Sequence, residues 1–186
     1  MPLLIDTTDG HGLPTADLLL FALPGVGDVG KNAIEMLNES SQAERVARFI
    51  HPGLAPLARL DEDGLLAPPH LYASIFTTPS GQRVMTITGP GQPSDPSHQY
   101  DFTQELLEVL LKSEIPEILV LAGLSSPPEK KEAFVVASSS AHRVNMEEKG
   151  VDVRRDQPSG GAIGMSALMA SMGSIFGIHS ACAMAT

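Results

Sequence analysis

The chain has no tryptophan, a single cysteine, and only six Phe and two Tyr among 186 residues. Its interior must therefore be aliphatic, with methionines filling irregular gaps. One cysteine excludes an internal disulfide. Cys182 lies in the apolar run IHSACAMA, where it reads as a small buried hydrophobe. A nucleophilic or redox thiol wants a cationic setting, and only His179 is near in sequence.

Positive charge is also scarce. Lys and Arg number 12 against 22 Asp and Glu, for a net charge of −10. The deficit is shared, with 5 against 10 in residues 1–93 and 7 against 12 in residues 94–186. The longest basic runs are the pairs Lys130-Lys131 and Arg154-Arg155. No surface here would attract a polyanion over distance, which excludes nucleic acid and anionic membrane as main partners. The N-terminus MPLLIDTTDG lacks a basic stretch followed by a long apolar one, so no secretory signal is read and a cytoplasmic location is expected. From Gln157 to Thr186 there is no Asp, Glu, Lys or Arg. Glycines and serines interrupt that stretch too often for a span of ~20 apolar residues, so a helix buried on both sides in a soluble core is expected.

What remains is an ordinary globular balance, 42% hydrophobic and 18% charged, at a length suited to one domain over residues 1–186. Apolar runs predict strands at Leu18–Leu23, Arg45–Ile50, Leu71–Phe76, Arg83–Thr88, Glu117–Ala122, Ala133–Ser138 and Ile178–Ala185. A short strand is predicted at Val151–Arg154. LARLDEDGLLAPP reads as a hairpin turning at Asp63-Gly64. Helices are predicted over NAIEMLNES, through Phe102, Leu106, Val109 and Leu110 to about Ser113, over Ser140–Lys149, and over Met165–Phe176. Asp101 and Gln104 have capping-box spacing, with the helix starting there or slightly earlier, and Gly150 marks a helix stop. This alternation predicts an α/β fold: a mostly parallel sheet flanked by helices, with an antiparallel hairpin portion. Loops at the strand carboxyl ends then line the ligand crevice, here PGVGDVGK, GPGQPSDPS, AGLSSPPE and GGAIG. The chain stops on an apolar strand without a cap, so a native C-terminal extension is expected.

Gly25-Val26-Gly27-Asp28-Val29-Gly30-Lys31-Asn32 is the sharpest motif. It satisfies G-x-G-x-x-G between a strand and a helix, where backbone can approach a pyrophosphate. It also approximates a Walker loop. Against the first reading, RFIHPG about 20 residues on carries no acid for a ribose. Against the second, Asn32 stands where a magnesium-binding hydroxyl belongs, and Asp28 repels phosphate. The alternative is a tight turn whose glycines let strand and helix pack closely. Gly160 and Gly161, before the last helix, and Gln92 in the Pro-rich loop join Gly25, Gly27, Gly30, Lys31 and Asn32 as candidate ligand contacts. Ser166 in G-M-S-A-L misses the nucleophile elbow at its final glycine. The six histidines show no pair at metal-ligand spacing, so no metal site is expected. Asp61, Glu62 and Asp63 read as a solvated hairpin tip. No nucleophile, base and oxyanion stabiliser assemble, so no catalytic residue and no cofactor are assigned. Met165, Met169 and Met172 form a helical stripe, read as core or as an adaptable oligomer interface.

Taken in order, FALPGVGDVGK, TGPGQPSDPSHQYDF, LVLAGL and PSGGAIGMSALMASMGSIFGIHSACAMA resemble the proteasome assembly chaperone 2 family in its archaeal and bacterial branch. Pro24–Lys31, Gly89–Pro93 with Tyr100, Gly123, and Gly160–Cys182 carry the likeness, from about Leu18 onward. The resemblance implies a phosphorylase/hydrolase-like sandwich, homo-oligomers, and for some members assembly or binding of the proteasome. Prokaryotic members also carry an ATP-grasp-like label. Members generally continue beyond the Ala-Cys strand, and the proteasome-binding ones end in hydrophobic–Tyr–any residue, whereas this chain ends Met-Ala-Thr. A homo-oligomeric chaperone or scaffold, with proteasome subunits as the partners the resemblance implies, is the leading expectation. A nucleotide- or phosphate-binding enzyme using residues 25–31 is its rival.

Overall fold

The computed structural model describes residues 2–61, 63–125 and 131–186. Glu62 of the expected hairpin tip and residues 126–130 of the loop after the fifth long strand fall outside them.

The strands are β1 (Leu4–Thr7), β2 (Leu18–Phe21), β3 (Glu44–Ile50), β4 (Arg59–Leu60), β5 (Leu66–Ala67), β6 (Leu71–Thr77), β7 (Arg83–Thr88), β8 (Glu117–Gly123), β9 (Ala133–Ala137) and β10 (His179–Ala185). The helices are α1 (Val29–Ser40), α2 (Pro96–Lys112), α3 (Ser140–Glu148) and α4 (Met165–Met172). Eight strands make one sheet in the order β1-β3-β6-β7-β2-β8-β10-β9. Its centre is parallel: β2 pairs in parallel with β7 and β8, and β8 with β10. Antiparallel pairing extends it through β6, β3 and β1 on one side and β9 on the other. This is the α/β arrangement with antiparallel portions that the strand–helix alternation implies. The hairpin around Asp63-Gly64 forms a separate two-stranded ribbon of β4 and β5.

Period-2 alternation assigns the two faces. On one, Ile118 and Val120 of β8 and Cys182 and Met184 of β10 join Phe102, Leu106 and Leu110 of α2 and Met165 and Met169 of α4 in the main core. On the other, Leu119, Val135 and Ala181 meet Met146 of α3 in a smaller cluster. Leu121, two residues from Leu119 and so on the same face, supports α1 through Gly30.

Three local expectations are corrected. Helix α2 starts well before the Asp101–Gln104 box: Asp95 is the N-cap, accepting from the Ser97 and His98 N–H groups at 2.8 and 3.4 Å, with Pro96 in the first turn. Val151–Arg154 makes only a single bridge, between Val153 and Val135. The last helix tightens after Met172 into a 3-10 turn over Gly173–Phe176. The Gly150 stop is present: Val151 N–H closes back on the Met146 carbonyl, 3.0 Å away, just past α3. Among the described residues no helix is long and apolar enough to cross a membrane.

Candidate functional site

Parallel strands β2 and β8 lie side by side, and the strands that follow them in the chain, β3 and β9, lie on opposite sides of that pair in the sheet, so a crevice opens at their carboxyl ends. The loop after β2, the end of β8 and the segment leading into α4 line a groove of about 500 Å³ there. A second hollow of about 460 Å³ continues on the other side of residues 161–167, bordered by β9 and Tyr100.

The wall nearest β2 is built from the glycine motif. Val26–Asp28 forms a 3-10 turn that feeds α1, with Gly27 at φ 61° and Asp28 at φ 50°. Asp28 turns its carboxylate back on the turn, where Oδ1 accepts from the Gly25 N–H at 3.1 Å. An N–H group that a phosphate would need is therefore occupied by a fixed negative charge. Lys31 points away from the groove and pairs with Glu35 at 2.7 Å, one helical turn on. That hydrogen bond raises the Lys31 pKa above its ordinary value.

Gln92 joins the two walls. Its Nε2 donates to the Pro24 carbonyl at 3.2 Å, and its Oε1 accepts from the Met165 N–H at 3.0 Å. One amide thus holds the turn after β2 and satisfies the first N–H of α4. Gln99 Nε2 is likewise committed, to the Pro93 carbonyl at 2.6 Å.

The structure gathers Gly25, Gly30, Gln92 and Gly161 at the groove. Gly27, Lys31, Asn32 and Gly160 are not among its walls. Of the methionine stripe, Met165 and Met169 are fully buried and offer no surface to a partner, while Met172 is half-buried against the main core. They face the sheet because α4 lies on it through those positions. The aliphatic groups that the groove region does expose are Val26, Val29 and Ile163, the last 96% exposed. Sequence reading passed over all three, although Ile163 between two glycines in an uncharged loop was a usable signal.

The chemistry on offer is apolar. Among the described residues, neither hollow is lined by Asp, Glu, Lys, Arg or His. Ser166 borders the groove with no base beside it, so no serine nucleophile is set up. Burial pushes the Cys182 thiol up to about 12, which keeps it protonated and inert. No group of three or more His, Cys, Asp and Glu among the described residues is placed to hold a metal ion.

The comparisons agree with this architecture. The PbaB proteasome activator of Pyrococcus furiosus superposes with a TM-score of 0.83 at 20% identity, over 99% of this chain and 80% of that one. PbaA of the same organism, a homologue of proteasome-assembly chaperone, gives 0.75 at 18% identity, over 99% and 76%. A proteasome-assembly chaperone homologue of Mycobacterium tuberculosis gives 0.67 at 21% identity, over 90% and 74%. In sequence, an uncharacterised protein of Methanocaldococcus jannaschii is 22% identical over 167 residues, which is 90% of this chain but 64% of that protein's length. The PAC2 family profile matches residues 19–186, and the chain belongs to the PAC2 family.

Proposed function

We propose that the protein is a homo-oligomeric, chaperone-like or scaffold protein of the cytoplasm that docks another protein subunit, a proteasome subunit being the partner class indicated by PbaB, PbaA and the mycobacterial homologue. The observation that carries the reading is the groove at the ends of β2 and β8. Among the described residues its lining carries no charged side chain, in a chain of net charge −10; its two glutamines are already hydrogen-bonded within the fold, and Ile163 stands open on its rim. Such a lining offers a phosphate no cationic side chain among the described residues. It suits an aliphatic segment of a protein, where apolar area removed from water is worth roughly 25 cal/mol per Å².

The test is co-sedimentation of the native protein with assembled proteasome from its own source, with Ile163→Asp and Val26→Asp as probes. Both positions are exposed, so the variants keep the fold while placing a charge on the rim. Binding by the wild type that either substitution abolishes supports the reading. Absence of wild-type binding, or binding indifferent to both substitutions, refutes it. Light scattering at micromolar concentration decides the oligomer, and a clean monomer mass would remove that part of the proposal.

A further inference from the structure

Helix α3 does not share the main core. It is held by a satellite cluster in which Met146, Val153 and Ala181 are the buried members. Its nine residues carry one buried polar side chain, His142, which is 3% exposed. The His142 ring stacks on His179 of β10, with centroids 5.0 Å apart and planes within 14°. Its Nε2 is buried without a hydrogen-bond partner among the described residues. The nearest carboxylate, Glu117 of β8, stands 3.5 Å off without the alignment of a hydrogen bond, and its side chain is 36% exposed.

The groups facing His142 can be taken element by element. From β8 comes Glu117, from β10 His179, and from the end of α3 Lys149. Strand β9 offers no titratable side chain in Ala133–Ala137. Elsewhere on α3, Glu147 is paired with Arg155 at 2.9 Å, and Arg143 keeps a buried, unpaired Nε. In the segment bridged to β9, Arg154 bonds Asp152 at 3.0 Å. Only Glu117 would welcome an imidazolium, and its exposure screens that attraction. Burial, His179 and Lys149 all oppose it.

We propose that α3 is an acid-released flap: protonation of His142, sandwiched between the helix and His179, lifts the helix from β8, β10 and β9 while the main core stays folded. The neutral imidazole is tolerated as a stacked apolar plate, whereas a charged one next to a second imidazole has no buried partner aligned with it. Burial holds the His142 pKa below its ordinary value, so the docked form belongs to neutral pH and the open form gains as pH falls. Because the satellite cluster is small, opening is local rather than global. It would uncover an apolar strip of Leu119, Val135, Ala137 and Ala181.

Hydrogen exchange read by mass spectrometry tests this on the intact protein, corrected for the intrinsic pH dependence of exchange. Between about pH 7.5 and about pH 5.5, amides of α3 should lose protection by several-fold, up to roughly tenfold, relative to those of α2. His142→Gln should abolish that relative change, and Glu117→Gln, which removes the one group favouring the imidazolium, should enlarge it. The wild-type comparison needs no variant, so a poorly folded substitution does not rescue the idea. Equal pH response in α3 and α2 overturns it, as does a full relative response in a folded His142→Gln protein.

Discussion

Gly30 of α1 rests so closely on the main-chain carbonyl of Leu121 in β8 that a methyl group at its Cα would overlap the carbonyl atoms and press the Ala22 side chain at 3.1 Å. The approach is matched one turn earlier, where Gly123 receives the Val26 carbonyl with no room for a Cβ. The glycines of G-x-G-x-x-G therefore separate by role. Gly30→Ala is expected to cost about 1–3 kcal/mol through overpacking against a backbone that cannot turn aside. Gly27→Ala, at φ 61°, should cost about 1 kcal/mol from the left-handed backbone alone. Gly25, extended at φ −164° with only the Leu23 carbonyl 3.9 Å away, should accept alanine nearly silently. Thermal melts without ligand check the order. If Gly25→Ala proves the worst of the three, this assignment of roles fails.

The same turn is expected not to bind Mg-ATP. Asp28 already occupies the Gly25 N–H, Lys31 is turned to Glu35, and Asn32 supplies no metal-binding hydroxyl. Calorimetry should show no heat of binding at micromolar protein in wild type or Lys31→Ala. Micromolar binding that Lys31→Ala removes would restore the enzyme reading.

Much of this site was legible in the sequence, and the illegible parts have physical causes. Strand–loop–helix alternation located the crevice because parallel strands put their carboxyl-end loops together. The motif's match to a phosphate loop could not reveal that Asp28 would fold back as its own ligand, since that depends on a left-handed residue within the turn. Strand β1 went unread because Leu4–Thr7 is a short, largely exposed edge with no apolar alternation. The methionine stripe showed that α4 has an apolar face but not what covers it; within the chain the core takes Met165 and Met169 completely and Met172 in part. Gln92 was singled out without its task, which needs Pro24 and Met165 brought together from 68 and 73 residues away.

That task gives the third prediction. Gln92→Ala leaves the Pro24 carbonyl and the Met165 N–H without partners in a half-buried place, at a cost of about 1–3 kcal/mol. Gln92→Glu keeps an acceptor for Met165 but sets a carboxylate against the Pro24 carbonyl, so it should not restore full stability. Melting temperature and exchange of the Gly164–Leu168 amides are the readouts. A glutamate variant as stable as wild type would show that the bond to Pro24 contributes nothing.

The last prediction concerns acid stability of the whole fold and rests on His51. Its ring is 3% exposed, stacks on Phe102 at 4.5 Å between centroids, and uses Nδ1 to accept the Gly53 N–H at 3.0 Å. The neutral ring with its proton on Nε2 is therefore the form the fold requires. Protonating Nδ1 would turn that acceptor into a second donor facing the Gly53 N–H. Burial lowers the His51 pKa from its ordinary 6.5, and His98 adds to the effect, while Glu105, 4.0 Å from Nε2, opposes it. A folded pKa below the unfolded one means that the unfolded chain binds more protons in the interval between them. Stability must then rise with pH across that interval. It is complete above about 6.5 and drains away as pH falls through the lower, folded pKa. His51→Asn offers an uncharged acceptor for the Gly53 N–H at every pH, at the cost of the stacking on Phe102. Its urea midpoint should lie below wild type at neutral pH and fall less steeply on acidification. Parallel pH profiles for the two proteins would remove His51 from the acid response and leave His142, in the satellite cluster, as the remaining buried imidazole of the same sign.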